Sequence, residues 1–391
     1  MSETKEPSHF QLSRLAFLQT ATAGLGGVLM ARAQSKVKGK LMSQDTQSAQ
    51  NKPVAGLTER RERYRAAVRK ARSWLTGNER EDGSYGPRAS SLEDLATAGM
   101  CLGLMGCPDH VGRLLRYIQK NYFLEDGSFR QDTNDDIQSE YAYTPSWVVV
   151  SAHLNGYFDI SMLAMANILR FQDAQSGGLF GHPKHQQAKA GVIGPAVTGV
   201  AATAALVTGH LEAARKMGDY FLHLIALQPD LQNRFYPFYD TRQGLVTQGA
   251  PELGPTYFGT FERKQPKQHY WLLGFFLAIL SDLYLATRQK KYLDGALTMY
   301  EFSMGCQPDL YSNTLNHKFL WGCARLYRAT GNPKHLETAL RVADFLTDIQ
   351  DPEGTWWHRD FVPTREQQGY GGTVDCTSQF CTWLIKLLQV L

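Results

Sequence analysis

From residue 57 onward, apolar residues recur three and four apart in segment after segment, the period of a helix that buries one face. The C-terminal stretch "DCTSQFCTWLIKLLQVL" puts Phe380, Trp383, Leu384, Leu387, Leu388 and Leu391 on one stripe. "HLETALRVADFLTDI" keeps Glu337, Arg341 and Asp344 on a charged face, which predicts an outer helix with that face turned to water. "VTGVAATAALV" and "WLLGFFLAIL" are apolar over most of their circumference and predict helices enclosed by others. Strand-like alternation is almost absent, so the pattern predicts an all-α chain.

Four segments, aligned on a glycine, end a helix in the same way: "RSWLTGNEREDGSYG", "LRYIQKNYFLEDGSFR", "ANILRFQDAQSGGLFG" and "ADFLTDIQDPEGTWWH". Each has an aromatic or aliphatic pair, a polar turn, Gly, one residue and then an aromatic. The glycine takes a backbone conformation that a Cβ would resist, and the aromatic folds back over the helix end. A second helical pattern follows each turn. Two further pairs lack the glycine turn. In one, "HLEAARKMGDYFLHLIALQPD" is joined to "PKQHYWLLGFFLAILSDLYLATRQ" by a loop of about forty residues, long enough to suggest function. The other pairs "KKYLDGALTMYEFSMG" with "NTLNHKFLWGCARLYRATG", after which Gly331 closes one helix and Asn332 and Pro333 open the next. Six hairpins between Leu57 and Leu391, with enclosed second helices, predict closure into an (α/α)6 toroid of inner and outer rings.

Phe345-Leu346, Gln350, Gly354 and Trp356 resemble the QW repeat of squalene and hopene cyclases. The copies at Gly83, Gly127 and Gly177 resemble the related prenyltransferase-type repeat. The resemblance implies an α/α toroid that binds ligands at one end, beside the turns entering the inner helices; that family includes enzymes and non-enzymes.

The chain of 391 residues carries 41 basic and 37 acidic residues, a balance that disfavours a nucleic-acid surface. Near the N-terminus, Arg14 precedes an apolar stretch from Leu15 to Met30, and Ala31-Arg32-Ala33 gives a small-x-small cleavage pattern. Residues 1–33 read as an export signal to the periplasm or cell exterior, with a twin-arginine-like segment at Ser13–Leu18 in which Leu15 replaces the second arginine. Residues 34–56 read as a disordered linker and 57–391 as the toroid domain. The apolar run Tyr270–Leu280 stops well short of the roughly 20 residues a bilayer requires, so no transmembrane helix is expected in the mature chain. The six cysteines, Cys101, Cys107, Cys306, Cys323, Cys376 and Cys381, show no zinc-type pair; buried thiols and a disulfide between distant partners both remain open.

In such a ring the outer-to-inner connections share one mouth, where the candidate chemistry collects. "RQDTNDDIQSEYAYTPSW" offers Asp135 and Asp136 as a crowded acid pair, with Tyr143 and Trp147 behind them for substrate. Thr133-Asn134-Asp135-Asp136 aligns with the D-x-D-D acid of class II terpene cyclases but lacks its first Asp. The long loop brings Tyr236, Tyr239 and Arg242 and enters its helix through His269 and Trp271. Aromatic platforms with arginine suit sugars, and Tyr239 beside a cation is a candidate proton donor or base. "SNTLNHKFLW" places His317 at a helix start as a base near neutral pH, while its asparagines read as caps. The last connection supplies Trp357, His358, Tyr370 and Asp375. Asp375-Cys376 with His317 is similar to the zinc set of protein prenyltransferases, yet adjacent helical residues point about 100° apart and no metal or other cofactor is expected. His182 and His185 read as solvated, and Glu93 and Asp94 as first-turn acids of the first inner helix.

Nucleotide-binding glycine loops, HExxH and G-x-S-x-G are absent from the sequence. Three readings follow. The first is an exported enzyme acting on a glycan by acid/base lysis or hydrolysis. The second is a terpene-cyclase-like isomerase of a linear isoprenoid, and the third is a non-catalytic toroid that binds a small molecule or glycan. A polar, aromatic-lined mouth marks the first, and a closed apolar chamber with a buried acid marks the second.

Overall fold

The computed structural model describes residues 56–86, 91–130, 141–248, 260–360 and 362–391. The expected leader, and the linker apart from its last residue, lie outside these. The outer helices are α1 (Leu57–Asn78), α4 (Pro108–Asn121), α6 (Phe158–Leu169), α9 (Leu211–Ala226), α11 (Lys290–Met304) and α13 (Pro333–Asp348). The inner ring is the broken pair α2 (Leu92–Ala96) and α3 (Ala98–Leu104), followed by α5 (Tyr143–Leu154), α8 (Pro195–Val207), α10 (Trp271–Thr287), α12 (His317–Thr330) and α14 (Arg365–Leu388). A short α7 (Pro183–Ala188) lies in the third connection. Each inner helix packs on the next, and α14 returns to pack on α2 and α3, so the ring closes as expected.

Closure rests on the repeated turn. Gly354 has φ +97°, and a Cβ there would stand 2.5 Å from the backbone carbonyl of Lys70 on α1. Gly83, Gly127 and Gly177 press in the same manner on the backbones of Arg113, Leu163 and Lys216, each on the next outer helix. The repeat therefore holds a glycine because two backbones meet there, a reason additional to its turn conformation. The Trp356 indole is fully buried and donates to the Leu346 carbonyl at 2.6 Å, folding back on the end of α13 as predicted. In the third copy Leu179, rather than an aromatic, pairs across the turn with Gln172, as Tyr85 pairs with Glu79 and Phe129 with Phe123.

The seam between the last outer helix and the first is polar. Asp344 accepts from Arg60, from Arg63 and from the hydroxyl of the buried Tyr64 at 2.6 Å. That corrects the expectation for Asp344 alone: α1 covers this end of the charged face, while Glu337 and Arg341 stay exposed as expected. Arg341 of the same face lies 3.5 Å over the Tyr311 ring. Gly331 closes α12 with φ +67°, and the Asn332 side chain caps α13 by accepting from Lys334 N at 3.1 Å.

α14 begins earlier than the apolar stripe suggested, at Arg365, with Thr364 capping it and a break at Gly369. Trp147 on α5 lies 6.3 Å from Trp321 on α12 and 5.8 Å from Trp383 on α14, and these last two stack at 4.7 Å. Because α5 and α12 are opposite members of the ring, the three indoles fill its centre. All six cysteines are free thiols, and all but Cys306 are buried.

Candidate active site at the mouth of the ring

The inner helices α2, α5, α10, α12 and α14 turn their N-terminal ends or the loops before them toward one cavity of about 460 Å³. Tyr143, Trp147 and Trp271 give it aromatic walls; His269, His317, His358, Lys318, Gln368, Gln379, Thr97, Glu93 and Asp375 give it polar ones. It lies where the outer-to-inner connections meet, the place the ring geometry predicts.

Asp375 stands on the cavity wall, held from two sides. Its Oδ1 accepts from Thr97 Oγ1 at 2.9 Å and its Oδ2 from Gln379 Nε2 at 2.6 Å. Burial, and then the nearby Glu93 carboxylate, push its pKa up to about 7, against the lowering influence of Lys318, Thr97 and Gln379. A carboxyl in that range can give or take a proton near neutral pH.

His317 is 2% exposed and bonded at both nitrogens: Nδ1–H donates to the Thr314 carbonyl at 3.2 Å, and Nε2 accepts from Lys318 Nζ at 2.9 Å. Burial, then Lys318 and His358, hold its pKa well below the ordinary value. This corrects the expected role of a base near neutral pH, because the ring is neutral and its lone pair already engaged. His269 accepts from Trp271 Nε1 through Nδ1 at 3.2 Å, and burial lowers its pKa to about 4. His358 is also lowered to about 4, by burial and then by Lys318, and its buried Nδ1 has no partner among the described residues.

Of the residues singled out from sequence, Tyr143, Trp147, His269, Trp271, His317, His358 and Asp375 line the cavity. Asp135 and Asp136 lie outside the described residues. Tyr236, Tyr239 and Arg242 are not among the lining residues, which corrects the expectation that the long loop shares the pocket with His317. That loop forms short strands. β3 (Tyr239–Asp240) pairs antiparallel with both β1 (Val192–Ile193) and β4 (Gly244–Leu245), and β2 (Arg234–Phe235) pairs with β5 (Phe261–Glu262). The pairing of Ile193 with Tyr239 draws this loop to the entry of α8, where Tyr239 meets the His223 ring edge-on. Arg242 is bonded to the buried Asp240. Tyr236 is buried beside Arg234. Trp357 lies under the Arg359 guanidinium at 3.9 Å. Tyr370 packs on Trp74 and donates to Asn78 Oδ1 at 2.9 Å, which ties α14 to α1.

Sequence reasoning missed Lys318 and Gln379, on inner helices, and Thr97, at the break between α2 and α3, and gave Glu93 only a first-turn role. Asp94 does take that role, forming a capping box with Ser91. Among the described residues no group of three or more His, Cys, Asp or Glu side chains is arranged to hold a metal. Cys376 is fully buried while its neighbour Asp375 lines the cavity, the divergence that helical geometry requires.

This fold and cavity define an all-α, α/α-toroid protein with a polar pocket at the entry of its inner helices. No family model matches the chain, and no curated protein matches it. Several solved structures share the fold. A GH76 α-mannanase of Bacteroides thetaiotaomicron is 13% identical, with TM-score 0.55 over 83% of this chain and 95% of that one. A D-mannose isomerase is 10% identical, with TM-score 0.64 over 86% and 99%. A type II terpene cyclase from Scytonema is 12% identical, with TM-score 0.53 over 86% and 100%. No helix among the described residues is long and apolar enough to cross a membrane.

Proposed function

We propose that the chain is a carbohydrate-active enzyme that seats part of a glycan in the central cavity and cleaves it by acid/base lysis or hydrolysis, with Asp375 as the group that moves the proton. The observation that carries this reading is Asp375 itself, held to about 7 in a cavity with aromatic and polar walls. Tyr143, Trp147 and Trp271 suit the apolar face of a sugar ring, and the Gln, His and Thr groups suit its hydroxyls. The sugar-acting mannanase and isomerase of the same fold support the reading, and the leader-like N-terminus supports action outside the cytoplasm. A cyclase would protonate an alkene from an acid in an apolar chamber. Three imidazoles, Lys318 and three glutamines along these walls favour the sugar.

The test is a reaction screen of the purified protein and its Asp375→Asn variant against neutral and acidic polysaccharides and linear isoprenoids. New reducing ends or unsaturated sugars are expected, with a loss of about a hundredfold or more in the variant. Cyclised hydrocarbons, silence on every polysaccharide, or full activity in the variant would overturn the proposal.

A further inference from the structure

Lys318 opens α12 with its ammonium turned inward, 3% exposed, over the rings of Trp271 at 5.0 Å, Phe275 at 5.9 Å and Tyr143 at 6.0 Å. Its Nζ donates to His317 Nε2 at 2.9 Å and to Gln379 Oε1 at 2.7 Å. An ammonium can only donate, so the carbonyl end of the Gln379 amide must face it and the NH₂ end must face away. That end meets Asp375 Oδ2 at 2.6 Å, one helical turn back on α14. The amide thus has one orientation, enforced from both sides, and joins a buried cation to a carboxyl it does not touch.

We infer that Lys318 and Gln379 are positioning residues for Asp375: the caged ammonium, acting through the fixed Gln379 amide, decides at which pH the Asp375 carboxyl gives up its proton. The ammonium polarises the amide, which strengthens the N–H bond to the carboxylate form, and its charge favours that form directly. Burial and Glu93, on α2, work the other way. Among the described residues the groups that bear on Asp375 are Glu93 and Thr97 from the first inner helices, Lys318 on α12, and Gln379 with the buried Cys376 thiol on α14 itself. His317, on α12, is neutral and accepts from Lys318 through an Nε2 that also lies 3.0 Å from Gln379 Oε1, so it helps to fix the cation without adding charge. Without the cation and its amide, burial and Glu93 would leave the proton on Asp375 through the neutral range. From the proposed function, the inference takes only the choice of Asp375 as proton carrier.

The experiment is a carboxyl ¹³C NMR titration of the full chain labelled with [4-¹³C]aspartate, the Asp375 signal being identified by its loss in Asp375→Asn. Lys318→Met and Gln379→Leu are each expected to move the Asp375 midpoint upward by about one pH unit, while Lys290→Met, at an exposed lysine, leaves it in place. Lys318→Arg, which keeps the charge, should move it less than Lys318→Met. Midpoints in both Lys318→Met and Gln379→Leu within about 0.2 units of the unaltered chain would overturn the inference. If Lys318→Met does not fold, Gln379→Leu decides alone, since it keeps the cation, its aromatic walls and its bond to His317. The titration is read without turnover, so its outcome stands apart from whether any glycan is cleaved.

Discussion

Gln350 donates from one amide nitrogen to two carbonyls, that of Gly354 in its own turn at 3.0 Å and that of Ala67 on the first outer helix at 2.9 Å. Gln172 does the same three units earlier, reaching Gly177 at 2.9 Å and Ala213 at 3.1 Å. The glutamine of the repeat is therefore a clamp between a turn and the next outer helix. In the last unit that next helix is the first in sequence. Gln350→Leu should leave two carbonyls short of a donor and cost about 1–3 kcal/mol in urea unfolding. A loss below about 0.5 kcal/mol would mean that the clamp is dispensable.

The glycine in that turn gives a sharper contrast. Gly354→Ala forces a Cβ onto the Lys70 backbone at a positive φ, whereas Gly209→Ala, at φ +81°, meets nothing within 4 Å. The second should show only the conformational cost, about 1 kcal/mol; the first should lose distinctly more, about 3 kcal/mol or above. Equal losses from paired denaturation curves would refute the close-approach account.

At the polar part of the seam, Tyr64→Phe should cost about 1 kcal/mol and Asp344→Ala about 2–3 kcal/mol, because Asp344 accepts from a buried hydroxyl and two guanidinium groups, and its loss leaves Tyr64 to the Leu340 carbonyl at 3.4 Å and Arg63 to the exposed Asp348. The double variant should cost less than the sum of the two, as both remove the Tyr64 hydroxyl bond. Strict additivity would show that Tyr64 and Asp344 do not act together.

The cavity groups predict an unusual pH profile of stability. Asp375, raised to about 7 from an ordinary 3.8, keeps its proton in the folded chain when the unfolded chain has lost it. Stability from this group is therefore lost as pH rises between those values. His269 and His358 in the cavity, and His335 on the outer helix α13, are lowered from 6.5 to about 4, in each case chiefly by burial, so the unfolded chain gains protons first and stability is lost as pH falls through that window. The two effects oppose each other below pH 6.5, and Asp375→Asn isolates them. Relative to the unaltered chain, the variant should gain stability steadily as pH rises from about 4 to about 7 and then level off. A difference independent of pH would contradict the raised carboxyl.

Much of this architecture could be read from the chain, because the features that build it are local. The stripe of α14, the capping of α13 by Asn332 and the glycine turns each write their cause within a few residues. The seam was less legible: Asp344 looks like any residue of a solvated face until α1 comes to lie on it, whereas Glu337 and Arg341 of the same face do stay exposed. At the site, Asp375, His358 and Trp271 were legible because they lie in or close after the connections expected at the mouth, although Asp375 stands well inside α14 rather than at its start. Lys318 and Gln379 were missed because a lysine beside a histidine and a glutamine in an apolar stripe have no pattern of their own. Their roles come from meeting across two helices 61 residues apart. Tyr239 was assigned to the pocket because its loop is an outer-to-inner connection rich in aromatic and charged residues, and a two-residue strand pairing, too short to leave a periodic trace, took it elsewhere.

Arg60 and Asp344 are 284 residues apart in the chain, and the turn that seats against Lys70 comes later still. A growing polypeptide therefore emerges as an arc whose two flanks stay bare until almost all of it has been made. Closing so long a loop is slow compared with forming any one hairpin. During that interval the greasy inner walls are open to other chains, and the lifetime of that arc, more than the strength of any single contact, should govern how much protein survives its own synthesis.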